Sequence, residues 1–133
     1  MIVLDTHVLV WAAGRDRKLG KRARRLIDAA WEKGEAAVSA LSFWEIGKLV
    51  EKGRLDLDMP VDVWRDQLAQ AGLTELPLGG EAAVRALWLV GLPDDPVDRF
   101  IVATTIVHRA GLLTADERVL AWKHPCVRHD ARE

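Results

Sequence analysis

Five runs of three or four residues, too short for helices and set between helix-patterned stretches, restrict the fold more than any other feature. Ile2-Val3-Leu4 is apolar, rich in β-formers and ends on the polar Asp5. Ala36-Ala37-Val38-Ser39, Leu73 to Leu76 and Leu112-Leu113-Thr114 follow it more weakly, and Val127-Arg128-His129 suits an edge strand. Short apolar runs of this kind read as buried strands. Between them, Thr6 to Ala13 reads as a short helix closed by Gly14, and Leu19, Ala23, Leu26, Ile27 and Ala30 recur at helical spacing. Ser42-Phe43-Trp44-Glu45 has the Ser-x-x-Glu spacing of a capping box, which predicts a helix from Ser42 to about Gly53. Pro60 is expected in the first turn of a helix reaching Ala71, with Gly72 ending it. Glu81 to Val90, Val97 to Gly111 and Glu117 to Trp122 complete the expected helices. Strands alternating with helices predict a three-layer α/β/α fold around a mostly parallel sheet of four to five strands. A chain of 133 residues suffices for one such core, so residues 1–133 are expected to form one domain.

Charge is segregated along this framework. The total of 19 basic and 20 acidic residues gives a net charge of -1, which by itself nominates neither nucleic acid nor an anionic membrane. Residues 1–31 carry +4, residues 32–98 carry -7 and residues 99–133 carry +2. Arg15, Arg17, Lys18, Lys21, Arg22, Arg24 and Arg25 crowd one stretch, opposed only by Asp16, and place much of that charge on the outer face of one helix. The stretch suits nucleic-acid phosphates as well as a solvated face. Lys48, Lys52 and Arg54 add to the same candidate rim. The lone Cys126 has no disulfide partner, so a reducing, cytoplasmic setting is expected. The longest apolar runs fall far short of the roughly 20 residues of a membrane span, so no membrane association is expected.

The carboxylates carry the chemistry. Asp5 follows the first strand, Glu45 stands near the start of the helix after the second, Asp98 opens the long helix, and Asp116 follows the strand ending at Thr114. In a parallel sheet these positions share one edge, the edge where ligands bind. Each acid also has a purely structural reading. Asp5 and Asp116 fit as N-caps, Glu45 as the capping-box partner of Ser42, and Asp95-Pro96-Val97-Asp98 as cap, first-turn proline and dipole-matched acid. The two readings are compatible, because helix N-termini help keep carboxylates ionised. Like charges at close range repel by about 1 to 4 kcal/mol per pair, so a converged cluster needs a cation or a proton. Mg2+ fits, with Mn2+ possible, because hard ions prefer oxygen ligands. The chain has no His-Glu-x-x-His, no cysteine pair, no phosphate-cradling Gly-rich loop with Lys and no Gly-x-Ser-x-Gly.

Ile2-Val3-Leu4-Asp5-Thr6-His7, Ser42-Phe43-Trp44-Glu45-Ile46, Asp95-Pro96-Val97-Asp98-Arg99-Phe100-Ile101-Val102-Ala103 and Leu113-Thr114-Ala115-Asp116 together resemble the four successive motifs of PIN-domain nucleases, specifically VapC-type toxins of bacterial toxin–antitoxin pairs. The resemblance spans the chain and implies a compact PIN-like sheet with the first strand central. It implies a catalytic, metal-holding quartet at Asp5, Glu45, Asp98 and Asp116, with Mg2+ or Mn2+ as cofactor and RNA as substrate. Cleavage would leave 5'-phosphate and 3'-hydroxyl ends. Thr6 and Thr114 match positions that support the site by hydrogen bonding, Arg99 matches a basic residue after the third acid, and Asp95 is taken first as a cap. Val97 stands where the family often has an aromatic residue. The resemblance further implies a homodimer and a VapB-like antitoxin held on the helix pair Phe43–Gly53 and Val61–Ala71, with a basic residue inserted among the acids. The six tryptophans, Trp11, Trp31, Trp44, Trp64, Trp88 and Trp122, read mainly as core or interface anchors. Two other function classes stay open on the residues alone. One is an Asp-based phosphoacceptor or phosphatase, which His7 disfavours where a second Asp is wanted; the other is a catalytically silent RNA-binding module.

Overall fold

The computed structural model describes residues 1–133. In chain order it contains β1 (Ile2–Leu4), α1 (Thr6–Ala13), α2 (Lys21–Glu32), β2 (Ala36–Ser39), α3 (Ala40–Glu51), α4 (Val61–Gln70) and β3 (Thr74–Leu76). There follow α5 (Gly80–Arg85) with a 3-10 turn at Ala86–Trp88, α6 (Pro96–Val107), β4 (Gly111–Thr114), α7 (Glu117–Leu120) and β5 (Arg128–Asp130). All five strands are parallel, in the order β3-β2-β1-β4-β5, so the sheet expected from the sequence forms with β1 at its centre.

The two-residue period of a strand distributes the core. Val3, Ala37 and Leu112 point to one face, where Ile101, Val102, Val119 and Trp122 cover them. Leu4, Val38 and Leu113 point to the other, against Val8, Leu9, Ile27, Phe43, Ile46 and Trp64. Leu4 stands opposite both Val38 and Leu113 in register, so Asp5 comes level with Ser39 and Thr114, the last residues of β2 and β4. No helix is long and apolar enough to cross a membrane.

Several boundaries differ from the sequence reading, each for a local reason. β2 passes into α3 without a linker, and the Ser39 hydroxyl caps the helix by accepting from the Leu41 N–H at 3.2 Å. Ser42 and Glu45 therefore lie inside α3 and form no capping box. Pro60 is the N-cap of α4 and not a first-turn residue. The stretch expected to be helical to Val90 tightens after Arg85, because Trp122 Nε1 donates to the Val90 carbonyl at 2.8 Å and Arg99 holds the carbonyls of Ala86 and Leu92 at 2.8 and 2.9 Å. α7 stops at Leu120, and Trp122 turns inward to stack on His124 with ring centroids 4.3 Å apart.

α6 ends at Val107, before the expected Gly111. Arg109 adopts a left-handed φ of 52°. Its N–H donates to the Ile106 carbonyl and that of Ala110 to the Thr105 carbonyl, both at 3.0 Å, which closes the helix and releases the chain into β4. A left-handed residue with a Cβ costs about 1–2 kcal/mol, while glycine's greater freedom in the unfolded chain returns about half of that. Arg109→Gly is accordingly expected to stabilise the fold by about 0.5–1 kcal/mol, seen as a higher denaturant midpoint at unchanged m-value.

Candidate active site at the carboxyl edge of the sheet

Three strand-to-helix junctions and the start of α6, which follows the 3-10 turn and a loop, supply the acids. Asp5 leaves β1 and caps α1, its Oδ1 accepting from the Thr6 N–H at 2.8 Å. Its Oδ2 accepts from the Thr114 hydroxyl at 2.6 Å, and that hydroxyl in turn accepts from the Asp116 N–H at 3.1 Å. Asp116 caps α7, with Oδ1 accepting from the Arg118 N–H at 2.9 Å. Asp95 caps α6 through the Asp98 N–H at 3.1 Å, and Pro96 starts the helix, so Asp98 is set in its first turn. Glu45 projects from the second turn of α3. That helix is tied to α1 by the Thr6 hydroxyl, which donates to the Ser42 hydroxyl at 2.9 Å inside the core.

Asp5, Glu45, Asp95, Asp98 and Asp116 line one pocket of about 460 Å3, whose rim is completed by His7, Trp11 and Arg118. Asp95 thus both caps its helix and forms part of the wall. Arg99 does not enter the pocket. Its guanidinium holds the carbonyls of Ala86, Leu92 and Pro93 and so anchors the first turn of α6 from behind. Of the basic stretch, Arg15, Arg17 and Lys18 lie on the turn before α2, while Lys21, Arg22, Arg24 and Arg25 lie on the helix. Only Lys18 reaches the edge of the site, with Nζ 6.0 Å over the Trp11 ring. Arg22 instead lies 3.9 Å from Glu133.

Three residues assigned elsewhere, or passed over, by the sequence reading belong to this constellation. Ser42 serves as a buried hydrogen-bond partner and not as a cap. Trp11 follows His7 by one helical turn, a spacing that places both on one face of α1. Arg118 follows the cap Asp116 at the distance from which its guanidinium can fold back, at 3.4 Å, onto the carboxylate.

The charges are not equivalent. Burial raises the pKa of Asp98, and the neighbouring charges of Asp5, Asp95, Glu45 and Asp116 raise it further, to about 7. Burial also raises Asp5, although hydrogen bonds from Thr114 and the Thr6 N–H favour its ionised form. Asp116 is lowered, because its side-chain and backbone contacts with Arg118 outweigh its burial. A pocket that holds one carboxyl protonated near neutrality for want of a counter-charge suits a cation. Five of its lining residues offer carboxylate oxygens against one histidine, and oxygen ligands are what Mg2+ and Mn2+ prefer. No three His, Cys, Asp or Glu side chains are arranged to grip one ion directly. An ion here would be held by one or two of these carboxylates at a time and complete its shell with water, as Mg2+ commonly does.

Residues 2–123 match the PIN domain family. Ribonuclease VapC22 of Mycobacterium tuberculosis is 36% identical over 124 residues, 93% of this chain and 93% of that protein. Among solved structures, VapBC2 from Rickettsia felis, bound to a DNA fragment from its promoter, aligns with a TM-score of 0.71 at 15% identity, over 97% of this chain and 98% of that one. DNA-bound VapBC from Salmonella typhimurium aligns at 0.70 and 14% identity, over 97% and 96% of the two chains. At those identities the structural matches establish a shared fold.

The raised pKa of Asp98 has a sign that can be measured. Its contribution to stability is complete below the ordinary value of 3.8 and is lost as pH rises through about 7. Glu75, held by Arg65, Asp130, held by Arg132, and Asp116 are lowered, and their contributions persist above the usual carboxylate range. In the presence of a chelator, the thermal midpoint is expected to peak in mild acid and fall through neutrality, and Asp98→Asn is expected to flatten that fall. A midpoint climbing steadily from mild acid to about pH 8 would contradict the charge arrangement described.

Proposed function

The chain belongs to the PIN-domain family, among its VapC-type toxins, and on that premise we propose that it is a divalent-metal-dependent endoribonuclease, the toxin of a type II toxin–antitoxin pair. The observation that carries the reading is the convergence of Asp5, Glu45, Asp98 and Asp116, from four separated segments, on one pocket. This quartet would hold Mg2+ or Mn2+. A bound ion of this kind lowers the pKa of a water and neutralises charge on a phosphodiester and its leaving oxygen.

The chain's own groups prepare that chemistry. Thr114 and the Thr6 N–H aim the two oxygens of Asp5 and favour its charged form. Arg118 keeps Asp116 ionised and offers further N–H donors to an anionic substrate at the rim. Asp95 orients the α6 start that carries Asp98, and Arg99 braces it. Positioned carboxylates of this kind need not attack phosphorus themselves; they hold and orient what does.

A groove of mixed apolar and charged lining between α3 and α6 supports an antitoxin partner. Its apolar lining is Leu41, Trp44, Leu49, Val97 and Phe100, the rim residues Lys48, Lys52 and Arg54 make part of it basic, and it shares Glu45 and Asp95 with the acidic pocket. An apolar antitoxin segment lying there would bring a basic side chain to the carboxylates with little further reach. The groove adjoining the site thus involves α3 and α6, whereas the sequence reading placed it between α3 and α4. A second copy of the chain has an apolar surface available at Leu87, Trp88 and Val90, which are 72%, 67% and 88% exposed. These exposures support the homodimer.

Asp98→Asn keeps shape and deletes charge, and is expected to lower metal-dependent RNA cleavage by more than about 100-fold, beyond the roughly 10–100-fold typical of losing an outer partner. Sequencing of RNA ends after brief expression of the intact and variant chains measures this and reads out the substrate. Unchanged cleavage by folded Asp98→Asn overturns the assignment. Mg2+ or Mn2+ at about a hundredfold over its Kd is expected to stabilise the fold by about 2.7 kcal/mol, an effect that Asp5→Asn should remove.

A further inference from the structure

Trp11 is the one tryptophan of the six that lines the carboxylate pocket. It is half-buried, packed on one side against the core under α1. The turn after α1 folds back over it. The Asp16 N–H donates to the Trp11 carbonyl at 2.9 Å, Arg15 takes a φ of 52°, and the Asp16 side chain accepts from the Lys18 N–H at 2.9 Å. This fold of the turn carries the exposed Lys18 ammonium over the indole, and Lys18 makes no ion pair with any carboxylate of the chain.

We propose that Trp11 and Lys18 form a nucleotide subsite beside the carboxylates, in which the indole stacks on an unpaired RNA base and Lys18 takes the adjoining phosphate. The inference rests on the ribonuclease reading above and sharpens its substrate to RNA that is single-stranded at the cut. Lys18 stands at the 6.0 Å limit of a cation–π contact, and at an exposed site that contact is weaker than base–aromatic stacking. A base therefore displaces the flexible lysine from the ring and leaves its charge free for the backbone. A base held in a duplex is already stacked on its neighbours and cannot lie on the indole, so loops and ends are selected. Stacking tolerates any base, which assigns this subsite to strandedness and not to sequence.

The test uses the full chain with Asp98→Asn to prevent cleavage, and fluorescence anisotropy with two probes: a random-sequence single-stranded RNA 20-mer and a fully paired RNA duplex. Adding Trp11→Leu is expected to weaken single-strand binding roughly tenfold and leave its salt slope unchanged, while Trp11→Phe stays within about threefold. Lys18→Gln is expected to weaken binding and reduce the slope by about 0.7, the value for one phosphate contact on a single strand. Duplex binding should not respond to Trp11→Leu. Independently of folding in the variants, photo-crosslinking of 5-bromouridine RNA to the chain with native Trp11 should map to that residue. Single-strand affinity indifferent to Trp11→Leu, an equal loss for both probes, or crosslinks that avoid Trp11 each overturn the subsite. RNA cleavage by the intact chain with such indifference overturns the subsite alone. Trp11-dependent binding without metal-dependent cleavage overturns the ribonuclease reading alone.

Discussion

Thr114 donates its hydroxyl proton to Asp5 across 109 positions of sequence, and this 2.6 Å bond is where the sheet becomes a site. The same oxygen accepts from the Asp116 N–H, so one buried hydroxyl sets two acids from neighbouring strands in fixed relation. It can do so because β1 and β4 are adjacent and parallel, with Leu4 opposite Leu113. A shift of one residue in that register would turn Thr114 to the other face and leave Asp5 without its partner. The apolar alternation that packs both faces of the sheet therefore also holds the chemistry in place.

The clustered acids oppose folding, and the structure offsets this with positions already favourable to negative charge. Asp5, Asp95 and Asp116 each cap a helix, and Asp98 stands in the first turn of the helix that Asp95 caps, where backbone N–H groups and the helix dipole favour a carboxylate. What remains uncompensated concentrates on Asp98, whose pKa is pushed to about 7 by burial and by four neighbouring carboxylates. Capping and metal chemistry are thus two uses of one placement. The alternatives that look exclusive residue by residue are satisfied together.

The sequence disclosed the acids more readily than the groups around them. Asp5 and Asp116 were legible because each terminates a short apolar run, and Asp98 because Asp-Pro marks a helix start. Glu45 was legible from its place near the start of the helix after the second strand, whereas its structural reading falls away: Ser39, not Ser42, is the cap of α3, and the Ser42 hydroxyl accepts from Thr6. Arg99 reads as a charge near the site, yet its donors face backbone carbonyls on the far side of α6. The basic stretch reads as one patch, but it divides between α2 and a turn whose Lys18 alone meets the pocket through Trp11. These facts depend on where side chains point after packing, which periodicity does not encode.

By itself the sequence determined the layer architecture and the edge at which function lies. Strand and helix periods are local properties, and parallel strands joined by helices bring their carboxyl ends to one side whatever the details. Tertiary structure alone decided which residues share the pocket, that Asp95 joins it while Arg99 braces from outside, and that an indole with a lysine borders it. Coulomb interactions, hydrogen bonds and ring contacts act over a few ångströms, between residues as far apart in the chain as Asp5 and Asp116. Their outcome is set by the packed distances and not by the order of residues.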